Sequence, residues 1–321
     1  MLLDDLVVGD EATQRQQQQQ QLFAAGHEAA IARMLVTVAS ALSLSCSLAM
    51  VLCFVVFQES RRCGRRILVC LHLADAAAAI AWLLTLWIPP PVDQTDTTND
   101  TAQTPSICLV QGYALVFFMM ASYTWTACFA SHLYQILGRR LKHPELYEYR
   151  YHLLAWGIPA STVWQLLTQH ANGFDLIGES GYPWCWFRVW SDYEWADDGF
   201  NTQLAVFYGP MLAVLLYNLS TYVSLLHQMS DVLSTRMEDR IWRRMMAYSW
   251  AFFLTFVWGF YALLYQNASH DHDISPKMLY LMSFFMPLQG AMNTVVYGFN
   301  KKLRDRVLGC CRRRKESTRV S

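Results

Sequence analysis

Seven long apolar runs dominate the chain. They cover Ala30–Phe57, Ile67–Trp87, Ile107–Leu137, Tyr151–Leu167, Thr202–Met229, Met245–Tyr265 and Met278–Phe299. Each is near the ~20 residues that carry a helix across about 30 Å of hydrocarbon. Helix is the expected form, because a lone strand in lipid leaves its backbone polar groups unpaired. A soluble helical bundle is the alternative, but runs this long and charge-poor rarely recur in water-soluble folds. The pattern therefore predicts an all-α membrane protein, a seven-transmembrane helix bundle spanning 30–299. Before it lies a polar stretch, 1–29, containing the run Gln16 to Gln21. Such a run buries no core and is expected to be disordered.

Charge orients the bundle. The first connection holds Arg61, Arg62, Arg65 and Arg66. The third holds Arg139, Arg140, Lys142 and Arg150, and the fifth holds Arg236, Arg240, Arg243 and Arg244. The segment 300–321 adds a further cluster from Lys301 to Arg319. The opposite side carries only Arg15, Arg188, Lys277 and the edge residue Arg33. Basic residues favour the cytoplasmic side. The N-terminus is thus expected outside and the C-terminus inside. Sequons at Asn99 and Asn267 fall in connections assigned to the outside, where glycosylation is expected. A third, at Asn218, falls within a span and is expected to be inert. Trp87, Trp184, Trp186, Tyr265 and Tyr280 fit an outer aromatic belt.

Composition agrees with lipid as the solvent. Apolar residues make up 54% of the 321 positions and charged residues only 16%, too few to cover a water-soluble surface. Net charge is zero, which leaves no bulk attraction to nucleic acid. The opening residues lack the basic region of a secretory signal, so the first apolar run is expected to act as the targeting signal and to be retained. Nine cysteines contain no CxxC pair, so no metal site or other cofactor is expected.

Several side chains stand out against this background. Of the nine cysteines, only Cys108 and Cys185 are assigned to the oxidising side away from helix interiors. A disulfide between them would tie the second outer loop over the bundle. Asp75 lies midway along the second run, where an unpaired carboxylate is costly. Asn293 in the seventh run is its expected partner, either as a structural hub or as an ion- or proton-linked switch. Pro159, Pro210 and Pro287 are expected to interrupt the fourth, fifth and seventh runs. His72 and His132 lie at similar inner depths, where core histidines are commoner than functional pairs. Phe299, Leu303 and Val307 recur at four-residue spacing among bases, predicting a short amphipathic helix on the inner membrane face after the seventh span. Cys310 and Cys311 follow and are candidates for palmitoylation.

These features, taken in order, resemble a G-protein-coupled receptor. The similarity is closest to the cyclic-AMP-receptor-like family, the slime-mould cyclic AMP receptors with their plant and animal relatives. It is carried by Leu71-His72-Leu73-Ala74-Asp75, Cys108-Leu109-Val110-Gln111-Gly112, Ala121-Ser122-Tyr123-Thr124-Trp125, Trp156-Gly157, Pro183-Trp184-Cys185-Trp186, Phe207-Tyr208-Gly209-Pro210, Tyr217-Asn218 and Asn293 to Asn300. The rhodopsin-like Asp-Arg-Tyr signature is missing, since the inner end of the third run reads His132-Leu133-Tyr134-Gln135. Asn293-Thr294-Val295-Val296-Tyr297 likewise lacks the proline of Asn-Pro-x-x-Tyr. The resemblance implies a multi-pass plasma-membrane protein that passes an extracellular ligand signal to a heterotrimeric G protein. Gln111, Trp184 and Trp186 would line the ligand pocket. Arg139, Arg140, Arg240 and Arg243 would face the G protein.

Other classes fit less well. An intramembrane aspartyl protease needs two membrane carboxylates, and only Asp75 lies clearly within a run; no HExxH motif is present. An enzyme is therefore not expected. A transporter or channel is the alternative, but the two halves show no internal repeat. A retinal protein needs a lysine in the last span, and Lys277 sits at its outer edge. Acidic outer positions, Asp175, Glu179, Asp192, Glu194, Asp197 and Asp198, point to cationic or peptide ligands over a naked phosphate.

Overall fold

The computed structural model describes residues 2–56, 63–88, 106–191, 194–195, 197–229, 235–269 and 274–298. Helix α1 covers Leu2–Val56, α2 Cys63–Leu83, α3 Ser106–Leu133 and α4 Glu148–Ala171. Then come α5 Asp197–Gln203, α6 Gly209–Met229, α7 Thr235–Ser269, α8 Pro276–Phe285 and α9 Gln289–Gly298. Below, "inner" means the end that carries the arginine clusters and "outer" the opposite end. Among the described residues, four segments are long and apolar enough to cross a membrane: Gly26–Val56, Cys63–Trp87, Ser106–Gly138 and Gly199–Gln228. The remaining runs differ for local reasons. Helix α4 carries Glu148, Arg150, Gln165 and His170, and α7 opens on Arg236 to Arg244. The run 276–298 is divided near Pro287 into α8 and α9.

Helix α1 shows how these sequences meet two solvents. Ala32, Val36, Ala39, Ser43, Ser47, Met50 and Phe54 are buried at steps of three and four residues, one face of a helix. Its other face exposes Met34, Val38, Leu42, Leu48 and Leu52. A water-soluble helix is polar on its outer face, whereas this one is apolar all round, as a lipid-facing helix is. Helix α4 repeats the design. Tyr151, Ala155, Pro159 and Leu166 face in, while Leu153 and Trp164 remain 69% and 70% exposed.

Two expectations change here. The backbone of α1 is helical from Leu2, so it continues through Gln16 to Gln21, where polar composition pointed to a tail without regular structure. Glutamine and alanine are good helix formers, and propagation from an existing helix avoids the cost of nucleation. Pro159 does not interrupt α4, which runs unbroken past it. Pro210 instead follows a π-helical turn at Leu204–Tyr208 that joins α5 to α6. That turn absorbs the register shift a missing N–H requires.

The two largest clusters of the core lie toward the outer and the inner end. The outer one gathers Trp82, Tyr123, Trp184, Phe207, Tyr208 and Phe256 among others. The inner one gathers Phe54, Ile67, Leu71, Trp125, Phe129 and Tyr151. Over the outer end lies a short antiparallel hairpin, β1 Ile177–Glu179 paired with β2 Cys185–Phe187.

Candidate functional site

Between the two clusters lies a buried polar hub. Asp75 of α2 is 2% exposed. Its Oδ1 accepts from Ser122 Oγ of α3. Its Oδ2 accepts from Asn293 Nδ2 of α9 at 2.9 Å. Ser122 Oγ in turn accepts from Gln289 Nε2 at 2.7 Å. The backbone N–H of Gly290 donates to Ser43 Oγ of α1 at 2.9 Å. One carboxylate thus organises polar bonds among α2, α3 and α9, with α1 attached through Ser43. This satisfies the requirement that intramembrane charge face the bundle interior and find partners.

The expected Asp75–Asn293 contact forms. Ser43, Ser122, Gln289 and Gly290 were not anticipated, although Gln289 stands one helical turn before Asn293 on the same face. Gly290 is required by close approach: a Cβ there would meet Ser47 Oγ at 2.4 Å and Ser43 Oγ at 2.6 Å. His72 and His132 do not meet. The nearest polar contact of His72 is Asp75 Oδ2 at 3.8 Å, beyond hydrogen-bond reach, and both its ring nitrogens lack partners. His132 Nδ1 lies 3.9 Å from Cys63 Sγ. Among the described residues no group of three or more His, Cys, Asp or Glu is placed to hold a metal ion.

Above the hub, the second outer loop is fixed at several points. Cys108 at the start of α3 and Cys185 in β2 form a disulfide, with Cα atoms 5.4 Å apart. Gln111, one turn further along α3, uses both ends of its amide. Nε2 donates to Thr85 Oγ1 at 2.7 Å and to the Ala81 carbonyl at 3.2 Å, and Oε1 accepts from the Cys185 N–H at 2.8 Å. Gln111 therefore clamps the hairpin to α2 and α3. Tyr182 reaches α7 through its hydroxyl, which donates to Gln266 Oε1 at 3.2 Å. Arg33 of α1 closes the outer rim by donating to the carbonyls of Thr85 and Ile88.

Trp184 and Trp186 were expected in an aromatic belt at the membrane surface. Instead they are 1% and 2% exposed, inside the outer core cluster. Trp184 stacks on Tyr182 and meets Trp82 of α2 edge-on at 5.2 Å. Trp186 meets Phe207 edge-on at 5.0 Å. Hydropathy alone does not separate a belt tryptophan from a buried one. The hairpin pairing and the disulfide pull these two inward. Trp87 and Tyr265 do stay exposed.

At the inner end, Arg66 of α2 and Glu148 of α4 form a two-bonded ion pair. Arg66 holds the Glu148 carboxyl below the usual carboxylate range. A cleft of about 650 Å³ opens beside it, lined by Cys63, Phe129, His132, Leu133 and Pro144 among others. Arg139 and Arg140 are exposed at the end of the third run, with Arg139 over the Tyr134 ring. Arg240 and Arg243 lie on α7, and their side chains fall outside the described residues. Asn267 sits in the last turn of α7 and is half-buried. Asn218 is buried in α6, where its Nδ2 donates to Thr126 Oγ1 at 3.3 Å. Asn99, Cys310, Cys311 and the expected amphipathic helix lie outside the described residues.

Comparison with known proteins places this arrangement. The family described as 7 transmembrane receptor (Secretin family) matches residues 29–292. G-protein coupled receptor 1 of Arabidopsis thaliana is 25% identical over 280 residues, which is 84% of this chain and 78% of that protein. Cyclic AMP receptor-like protein A of Dictyostelium discoideum is 25% identical over 258 residues, 79% of this chain and 60% of that protein. G-protein coupled receptor 157 of Mus musculus is 26% identical over 159 residues, 49% of this chain and 44% of that protein. The matched region contains the disulfide, the clamped hairpin and the hub residues Ser43, Asp75, Ser122, Gln289 and Gly290, and the chain is a G-protein-coupled-receptor-like membrane protein that belongs to the seven-transmembrane receptor (secretin) family.

Proposed function

We propose that this chain is a plasma-membrane receptor. In this reading it crosses the bilayer seven times, with its N-terminus outside, and transmits an extracellular ligand signal to a heterotrimeric G protein. The receptor domain would be 30–299, with 1–29 outside and 300–321 on the inner face. The observation that carries the reading is the hub, in which one buried carboxylate bonds α2 to α3 and α9. Such interhelix polar sets have discrete alternative pairings, so a ligand that prefers one helix arrangement shifts the population toward it. A transporter accounts less well for the family match, and membership of a receptor family favours a receptor over an enzyme.

Several residues take roles within this reading. Trp184 and Trp186 border the ligand region, and Gln111 acts through the loop it clamps. Arg139, Arg140, Arg240 and Arg243 contact the G protein. Cys310 and Cys311 carry palmitoyl groups beside the inner amphipathic helix. Asn99 and Asn267 carry glycans. Cyclic AMP stands in the names of several Dictyostelium discoideum relatives, but the acidic positions of the second outer loop, such as Asp175 and Glu179, suit a cationic or peptide ligand better. The test is guanine-nucleotide exchange on G proteins of each class by the membrane-embedded receptor, with and without arrays of candidate ligands. Exchange above receptor-free membranes supports the reading. Silence across every class and ligand set sinks it.

A further inference from the structure

The hairpin over the outer end does more than cover it. Trp184, Trp186 and Phe187 are 1%, 2% and 0% exposed, a degree of burial typical of core side chains. Trp186 packs edge-on against Phe207. Phe207 in turn meets Tyr123 of α3 and Phe256 of α7. Trp184 packs against Trp82 of α2. The loop therefore touches the helices through two indole rings, one toward α2 and one toward the α3–α7 aromatic cluster. Its approach leaves no room for a side chain on α3 at Gly112. A Cβ on Gly112 of α3 would meet Ile177 Cγ2 at 2.4 Å. The disulfide and Gln111 hold the segment in register.

From this packing we infer that Trp184–Phe187 is a built-in plug of the outer end of the bundle, which holds the receptor in its low-activity arrangement. The inference rests on the receptor reading above. A ligand entering the bundle from outside has to displace the segment that carries the two indoles. Ligand and seated loop cannot share one volume, so binding requires the loop to yield. Two bodies that exclude each other stabilise different members of the same equilibrium. The seated loop therefore favours the arrangement opposite to the ligand's, and Trp186 is the lever, because it alone of the two indoles touches the cluster that joins α3 to α7. A ligand for this site must supply flat, apolar surface to replace the indole contacts.

The experiment compares wild type, Trp186→Ala, Trp186→Phe and the lipid-facing control Trp164→Ala in cells, at matched surface expression. The readout is ligand-free activation of G proteins. Trp186→Ala is expected to raise basal activation roughly fivefold or more, a population shift that the loss of one packed indole can produce in a two-state receptor. Added indole fills the space left by the side chain and is expected to return the signal toward wild type. Trp186→Phe keeps an aromatic ring and is expected to fall between the two, which preserves the test if the alanine variant fails to reach the surface. Trp164→Ala is expected to match wild type. If both Trp186 variants signal at the wild-type basal rate, the plug is overturned and the receptor reading stands. If no variant and no wild-type protein activates any G-protein class, the receptor reading falls and the plug's regulatory role falls with it.

Discussion

Gly290→Ala is expected to be damaging, although it adds only one methyl group. Its Cβ would lie 2.4 Å from Ser47 Oγ, 2.6 Å from Ser43 Oγ and 3.0 Å from Asp75 Cβ. Relief requires both serine hydroxyls to leave their present positions, Ser43 giving up its bond from the Gly290 N–H, or α9 to move outward. Overpacking of this kind costs about 1–3 kcal/mol. The movement also stretches the Gly290 N–H bond to Ser43 and the Asn293 bond to Asp75, which adds about 0.5–1.5 kcal/mol. The sum, about 2–4 kcal/mol, corresponds to a drop of roughly 3–6 °C for a chain of this size. The assay is the temperature of half-inactivation of purified receptor in detergent, because unfolding of such proteins is commonly irreversible. Ser47→Ala sharpens the test. Its Oγ is buried with no partner, so the single change is expected to be neutral or mildly stabilising. It also removes the nearest clash. The double variant should therefore recover part of the loss, with a coupling of about 0.5–3 kcal/mol. A Gly290→Ala protein within a degree of wild type, or a double variant no better than Gly290→Ala, would refute the close approach of α9 to α1.

Other expectations follow from the same geometry. Gln111→Leu leaves the Cys185 N–H and Thr85 Oγ1 without their partner, and is expected to cost about 1–3 kcal/mol; faster hydrogen exchange at Ile177–Phe187 than in wild type is the check. Cys108→Ser opens a loop closed across 77 residues and is expected to cost about 2–4 kcal/mol, read as reduced surface expression and a lower inactivation temperature. The Arg66–Glu148 pair is partly exposed, with side chains 40% and 19% accessible, so solvent limits its worth to about 0.5–1 kcal/mol. The Glu148 pKa is depressed below its ordinary value of 4.5. Its stabilisation is therefore present above that value and lost as pH falls through the folded-state value. Glu148→Gln should abolish this acid-side loss, and a wild-type pH profile in that variant would contradict the pairing.

Much of this fold could be read from the chain because lipid simplifies the problem. Long apolar runs separated by arginine clusters report helices and ends without knowledge of packing, and the described helices overlap those runs. Asp75 was conspicuous because a carboxylate in an apolar run needs a partner, and Asn293 was the obvious donor. Ser122 and Gln289 were not, because serine and glutamine are ordinary in membrane helices until a neighbour gives them a role. Trp184 and Trp186 were misplaced for a related reason. A tryptophan near a helix end has the same hydropathy in a belt as in a core, and only the hairpin register and the disulfide decide between them. Pro159 shows the converse, since an N–H lost inside a membrane helix does not oblige the helix to break.

The central claim is that this bundle is a receptor working on a G protein, and one measurement bears on it directly. Wild-type protein is placed in lipid nanodiscs with purified heterotrimers of each class, and nucleotide-sensitive complex formation is recorded. The account predicts a complex with at least one class, dissociated by guanine nucleotide and weakened when Arg139 and Arg140 are both replaced by alanine. Absence of any nucleotide-sensitive complex, across all classes and with the protein shown to be folded, would contradict it.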